Sequence, residues 1–125
     1  MFDTLNIPDA ETVTEGRRPF FEALILLRAG DHHAALKAFR RSARKADPPF
    51  DALSAIGAAD CQFAIGKLGS ALATLRKIVD DPTHSDGLLI GAWRKIATIE
   101  EARDNQTGVE EALTALDRLD DSLLH

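Results

Sequence analysis

The stretch GDHHAALKAFRRSARKADP, residues 30–48, has the pattern of an amphipathic helix between a glycine and a proline. Its small and apolar residues recur at the i, i+1, i+4 and i+7 spacing of one face of an α-helix: Ala35, Leu36, Phe39 and Ser42. Gly30 and Pro48 are residue types that commonly interrupt regular structure. The stretch therefore predicts a helix over residues 32–45.

Two weaker copies of this pattern follow along the chain. Superposing them brings together three alanines, each followed by a leucine: Ala35–Leu36, Ala71–Leu72 and Ala112–Leu113. Four residues after the alanine, each copy has a bulky residue: Phe39, Leu75 or Leu116. Three residues further on, on the same face of the helix, lie Ser42, Ile78 and Leu119. A pattern that recurs at intervals of about 20–50 residues predicts repeated helical units stacked on one another.

Proline and glycine divide the rest of the chain into helix-sized blocks. The chain has no Tyr and one Trp, and its apolar residues are dominated by Ala and Leu, which favour helix. Six helices are predicted, over residues 19–29, 32–45, 49–65, 68–79, 86–103 and 107–123. We expect residues 1–15 to form a leader, which is partly flexible or packs on a groove or a second subunit, and residues 16–125 to form one helical domain.

The repeated pattern resembles that of the tetratricopeptide (TPR) family. The match is best in the first unit, with Gly30, Ala35, Phe39 and Ser42, and is good in the second, with Gly66, Ala71 and Leu75. In the third unit Gly108 lies one place late, the Trp-x-x-Leu-Gly-x-x-Tyr signature is absent, and the units are spaced more widely than the family's 34 residues. The resemblance implies an all-α, right-handed solenoid of about three antiparallel helix-turn-helix units. The competing interpretation is a six-helix bundle without repeats.

The resemblance also implies where a partner would bind, because the first helix of each TPR unit lines a concave groove. The corresponding residues are Phe20, Leu24, Leu27, Leu53, Ile56, Asp60, Phe63 and Arg94. These residues suit an apolar or amphipathic segment of a protein partner, with a basic residue near Asp60. The Lys and Asn of the carboxylate clamp found in some TPR domains are absent. The alternative is that these residues belong to the core.

A basic patch is predicted on the second helix, formed by Lys37, Arg40, Arg41, Arg44 and Lys45. The last helix is acidic. The patch is either a solvated face or a contact for an acidic partner, including the acidic end of another copy. The net charge of −5 argues against nucleic acid as the partner.

The sequence offers little for chemistry. The single cysteine, Cys61, is expected to be a buried apolar residue in a reducing compartment. No metal-ligand spacing, nucleotide-binding loop or catalytic motif is present, so we expect neither enzymatic activity nor a cofactor. A helical phosphotransfer domain using His32 or His33, and a self-associating module such as a homodimer, remain alternatives to the protein-binding module. No apolar run is long enough to span a membrane, and a cytoplasmic location is expected.

Overall fold

The structure, a computed structural model, describes the backbone of residues 17–124 and the side chains of residues 17–120. In that range it contains six helices and no strand: α1 Arg17–Arg28, α2 His32–Lys45, α3 Phe50–Ala64, α4 Leu68–Val79, α5 Asp86–Ala102 and α6 Gln106–Leu124. The predicted all-α class is confirmed, and each helix begins and ends within two residues of its predicted bounds. The predicted leader lies outside the described residues. No described helix is both long and apolar enough to cross a membrane.

Three short turns with the same backbone geometry give the fold its repeat-like character. They join α1 to α2, α3 to α4 and α5 to α6. In each turn the last N–H donates to a carbonyl five residues earlier, at 2.8–3.0 Å: Asp31 to Leu26, Lys67 to Gln62 and Asn105 to Glu100. The middle residue has a positive φ, at Gly30 (85°), Gly66 (88°) and Asp104 (59°). Asp tolerates this left-handed conformation better than most residues.

The third turn corrects the predicted alignment of the last unit. Ala35 and Ala71 are each the fourth residue of their helix, whereas Ala112 is the seventh residue of α6 and Val109 is the fourth. All three alanines are fully buried. The error arises because residues three or four apart lie on one face of a helix, so periodicity alone does not distinguish a shift of about one turn. The residue at the position of the turn glycine is Asp104, and Gly108 lies inside α6.

The helices pack in chain order. Each helix contacts the next one, and the odd-numbered helices also contact each other in series, α1 with α3 and α3 with α5. Within residues 17–124, no Cα atom of α2 lies within 8 Å of a Cα atom of α4, and the same holds for α4 and α6, which are joined only through longer side chains such as that of Arg76. The first of two apolar clusters holds Ala23, Ala35, Leu36, Ala38, Phe39, Ala58 and Cys61. The second holds Ala59, Ala71, Leu72, Leu75, Ile78, Ala92, Ile96, Ile99 and Ala112.

A glycine allows α3 to approach α2 closely. The Phe39 ring is 1% exposed and lies so near the Gly57 backbone that a Cβ added at Gly57 would be 2.5 Å from the ring. Beside it, the buried Ser54 hydroxyl donates to Ser42 Oγ at 2.8 Å. Buried hydroxyl groups need hydrogen-bond partners, and this hydrogen bond gives Ser42 and Ser54 each other as partners. The contact fixes how α3 is rotated against α2.

A buried carboxylate holds the last helix pair together. Glu100 is 4% exposed and accepts a hydrogen bond from Arg103 Nη1 at 3.1 Å, while Arg76 Nη2 lies 3.7 Å from its carboxylate. Arg76 also donates two hydrogen bonds to Glu111, at 2.8 and 2.9 Å, and its guanidinium lies 5.6 Å from the centre of the Trp93 ring. Because an unpaired buried carboxylate is costly, the contacts with Arg76 and Arg103 offset the cost of burying Glu100.

Gly108 makes room for this carboxylate. A Cβ at Gly108 would collide with the carboxylate of Glu100, so the glycine serves the packing of α6 on α5 and not the turn. In the second unit the residue equivalent to Glu100 by its place before the turn is Gln62, which is also 4% exposed. Its side-chain oxygen accepts a hydrogen bond from Thr74 Oγ1 at 3.0 Å. A buried polar residue at this position therefore recurs, with a different partner each time.

Replacing Gly57 with alanine should destabilise the protein by about 1–3 kcal/mol, because the buried Phe39 ring has no space to withdraw from the new methyl group. Gly91→Ala is the matched control, since Gly91 also lies within a helix but has open space where its Cβ would be. The control should gain up to about 1 kcal/mol from improved helix propensity. Urea unfolding of both variants measures the two effects, and a stabilised Gly57→Ala would contradict the close contact.

Removing Arg76 should cost more than removing Glu111. Arg76→Leu is expected to lose about 2 kcal/mol at pH 7, because the buried Glu100 keeps only one cation. Glu111→Gln should lose under about 1 kcal/mol, since that ion pair is exposed to solvent. Unfolding in denaturant at several pH values compares both variants with the original chain.

The Glu111 contribution should also depend on pH. Hydrogen bonds from Arg76 lower the pKa of Glu111 below its ordinary value of 4.5. The stabilisation is therefore complete above pH 4.5 and is lost as the pH falls through the lower folded pKa. The stability difference between the original chain and Glu111→Gln should close over that interval, and a difference that persists at pH 2 would contradict the assigned pair.

Candidate functional site

The odd-numbered helices place the predicted groove residues in rows. The positive-φ residue of each turn gives a common reference point for the three odd-numbered helices. Ten residues before it lie Phe20 of α1, Ile56 of α3 and Arg94 of α5. Six residues before it lie Leu24, Asp60 and Thr98. Leu27, Phe63 and Glu101 form a further row by the same count. Because α1 contacts α3 and α3 contacts α5, these rows run across a surface shared by the three helices.

Two of the predicted groove residues expose large apolar side chains. Leu24 on α1 is 42% exposed and Leu53 on α3 is 37% exposed. Burying a leucine side chain typically contributes about 1.5–3 kcal/mol, so each leucine leaves part of that gain unused in the isolated chain. Leu24 and Leu53 are therefore accessible to a partner and are not core residues.

The remaining apolar groove residues form the floor beneath these leucines. Phe20 and Leu27 are half-buried against the first cluster, and Ile56 and Phe63 are half-buried against the second. The Phe20 ring packs edge-on against Phe39 and Phe50, with ring centres 6.2 and 5.4 Å apart. The two interpretations of the sequence, groove and core, therefore both apply to these four residues, since each has one side in the core and one in solvent.

Asp60 already has a cationic neighbour. Lys95 Nζ lies 2.8 Å from Asp60 Oδ1, and both side chains remain partly exposed, at 36% and 40%. The prediction that Asp60 presents its charge to a basic residue of a partner did not include this pair. Lys95 was missed because sequence periodicity does not show which residues of α3 and α5 face each other. A partner cation at Asp60 would have to compete with Lys95.

The α5 edge of this surface is polar. Arg94 is exposed, as are Thr98 and Glu101. Thr98 Oγ1 donates to the Arg94 carbonyl at 3.1 Å, as hydroxyls one turn apart in a helix commonly do. The surface therefore changes from apolar on α1 and α3 to charged and polar on α5.

The predicted basic patch is a separate surface on the solvent side of α2. All five of its residues are exposed: Lys37, Arg40, Arg41, Arg44 and Lys45. Arg41 has one ion-pair contact among the described residues, to Glu22 at 3.9 Å. The long cationic side chains lie opposite the buried face that carries Ala35, Phe39 and Ser42, so charge and core occupy opposite sides of one helix.

Among the residues considered for chemistry, Cys61 has an environment that favours a structural role. Cys61 is fully buried, and burial, together with the nearby Asp60 carboxylate, raises the pKa of its thiol to about 11. Such a thiol is a poor nucleophile at neutral pH. His32 is half-buried and His33 is exposed, both in the first turn of α2. Across the described residues there is no group of three His, Cys, Asp or Glu side chains that could hold a metal ion.

Comparisons with protein-family models, with curated proteins and with solved structures find no match to this chain. Both surfaces, that of α1, α3 and α5 and the basic face of α2, are therefore defined by the geometry of this chain.

Proposed function

We propose that this chain is a non-enzymatic protein-binding module, a TPR-like solenoid of three antiparallel helix pairs, which holds a segment of a partner protein on the surface of α1, α3 and α5. The observation that carries the proposal is the exposure of Leu24 and Leu53 on adjacent, contacting helices of that surface. The three equivalent turns, which join the helices in antiparallel pairs, support it.

The packing of the helices supports a curved array. The backbones of the odd-numbered helices approach each other in series, whereas no Cα atoms of α2 and α4, or of α4 and α6, lie within 8 Å of each other. Repeats that approach more closely on one side than on the other curve towards the closer side, and curved helical arrays use their concave side as an extended binding surface. The closer side here is the one that carries Leu24 and Leu53.

The chemistry of this surface indicates the class of partner. An amphipathic helix or an extended apolar strip would place its large apolar side chains on Leu24 and Leu53, over the floor formed by Phe20 and Ile56. Its polar side would then lie along the exposed Arg94 on α5. The half-exposed ion pair between α3 and α5 adds a polar boundary between the two regions. We therefore propose an amphipathic segment in preference to a uniformly apolar one.

The proposal predicts that Leu53→Asp and Leu24→Asp each weaken partner binding at least tenfold, a change of about 1.4 kcal/mol. The partner is captured on the original chain from the native cell, identified, and then titrated against each variant by calorimetry. Because both leucines are substantially exposed, the thermal unfolding temperature should change little. A conserved unfolding transition separates lost binding from lost folding.

Leu113→Asp is the matched control, because Leu113 is a leucine of similar exposure, at 52%, on α6 and away from this surface. It should bind the partner as the original chain does. If Leu113→Asp and Leu53→Asp weaken binding equally, or if neither does, then the partner does not bind on α1, α3 and α5.

A further inference from the structure

Each end of the helical array exposes one large apolar residue. The residues at the equivalent positions of the other helix pairs are buried. By its place before the turn, Ile25 on α1 is equivalent to Cys61 on α3 and Ile99 on α5. Cys61 is fully buried and Ile99 is 2% exposed, whereas Ile25 is 70% exposed. The first unit therefore leaves open the face that the later units cover.

The other end shows the complementary pattern. By its place after the turn, Leu113 on α6 is equivalent to Phe39 on α2 and Leu75 on α4. Phe39 is 1% exposed and Leu75 is fully buried, whereas Leu113 is 52% exposed. The last pair thus leaves open the face that the earlier pairs cover.

The molecule's internal contacts show what fits these faces. Phe39 and Cys61 belong to the same packed cluster, and Leu75 and Ile99 belong to the other. In each case a residue after one turn packs in the same cluster as the residue before the next turn. The pair that would continue this series is Leu113 of one molecule with Ile25 of another.

Charge favours the same pairing. Residues 17–45 contain eight Lys and Arg against two Asp and Glu, and residues 86–124 contain four against nine. Ile25 lines a cleft of about 450 Å³ together with Lys37, Arg41 and Glu22, the last of which lies 3.9 Å from Arg41, so the cleft keeps a net positive charge. Leu113 is flanked at i−3 and i+4 by exposed Glu110 and Asp117, which share its side of α6. An apolar contact bordered by opposite charges is thus available at the two ends.

We propose that this chain associates head to tail with copies of itself, with Leu113 of one copy in the Ile25 cleft of the next. Glu110 and Asp117 of the first copy face Lys37 and Arg41 of the second. This contact is heterologous, because the two copies contribute different surfaces, so it forms chains and not a closed twofold dimer. It does not depend on the proposed partner-binding surface.

Sedimentation of two variants and their mixture tests the contact. Ile25→Asp keeps an intact α6 face, and Leu113→Asp keeps an intact α1–α2 face. Alone, each variant should sediment as a monomer of 13.6 kDa, whereas an equimolar mixture should form a one-to-one dimer of twice that mass. The original chain should form species that grow with concentration and diminish at 1 M salt, where the Debye length falls to about 3 Å.

Leu53→Asp is the control for surface charge and should associate as the original chain does, while circular dichroism confirms that each variant is folded. A mixture that stays monomeric, or an original chain that stays monomeric at all concentrations, overturns the proposal. If the original chain associates only after Leu5→Asp and Ile7→Asp are introduced, the cleft is occupied by the chain's own N-terminal segment, which also overturns it.

Discussion

The contact of the Phe39 ring with the backbone of Gly57 is the constraint on which the rest of the arrangement depends. It joins α2 of the first helix pair to α3 of the second, and it requires a residue without a Cβ on α3. With α3 rotated in this way, Cys61 enters the first cluster while Ile56 and Phe63 turn towards the second. The same rotation leaves Leu53 partly in solvent. The proposed binding surface is therefore a consequence of how tightly α3 is seated on α2.

The third helix pair keeps this arrangement by a different means. Its buried polar residue is Glu100, where the second pair has Gln62. Arg76 from α4 and Arg103, which caps the end of α5, contact the Glu100 carboxylate, and Gly108 on α6 leaves space for it. Arg76 on α4 thereby links three successive helices, through Glu100 on α5 and Glu111 on α6.

The sequence predicted the helices well because each one combines a clear apolar stripe with a glycine, proline or capping residue at its ends. Asp31 and Ser85 indeed accept hydrogen bonds from the first turns of α2 and α5. The register of α6 was predicted wrongly because Ala112 and Val109 differ by nearly one turn and share a face. Only the backbone of the third turn, with its left-handed Asp104, separates the two possibilities.

The candidate site was predictable in outline and not in detail. The groove residues of α3 followed from the resemblance to the TPR register, but that register does not tell which of them are covered by a neighbouring helix. Leu53 is 37% exposed, whereas Phe63 is half-buried against the second cluster. The pair of Asp60 with Lys95, and the exposed Ile25, likewise depend on contacts between helices that are distant in sequence.

Photo-crosslinking in the native cell tests the central claim most directly, namely that a partner lies against α1 and α3. A photoreactive phenylalanine analogue is introduced at Leu53 in one chain and at Arg40, on the basic face of α2, in another. The surface of the odd-numbered helices predicts a covalent adduct with a discrete protein from position 53 and none from position 40. An adduct from position 40 alone would place the partner on the basic face and contradict the account.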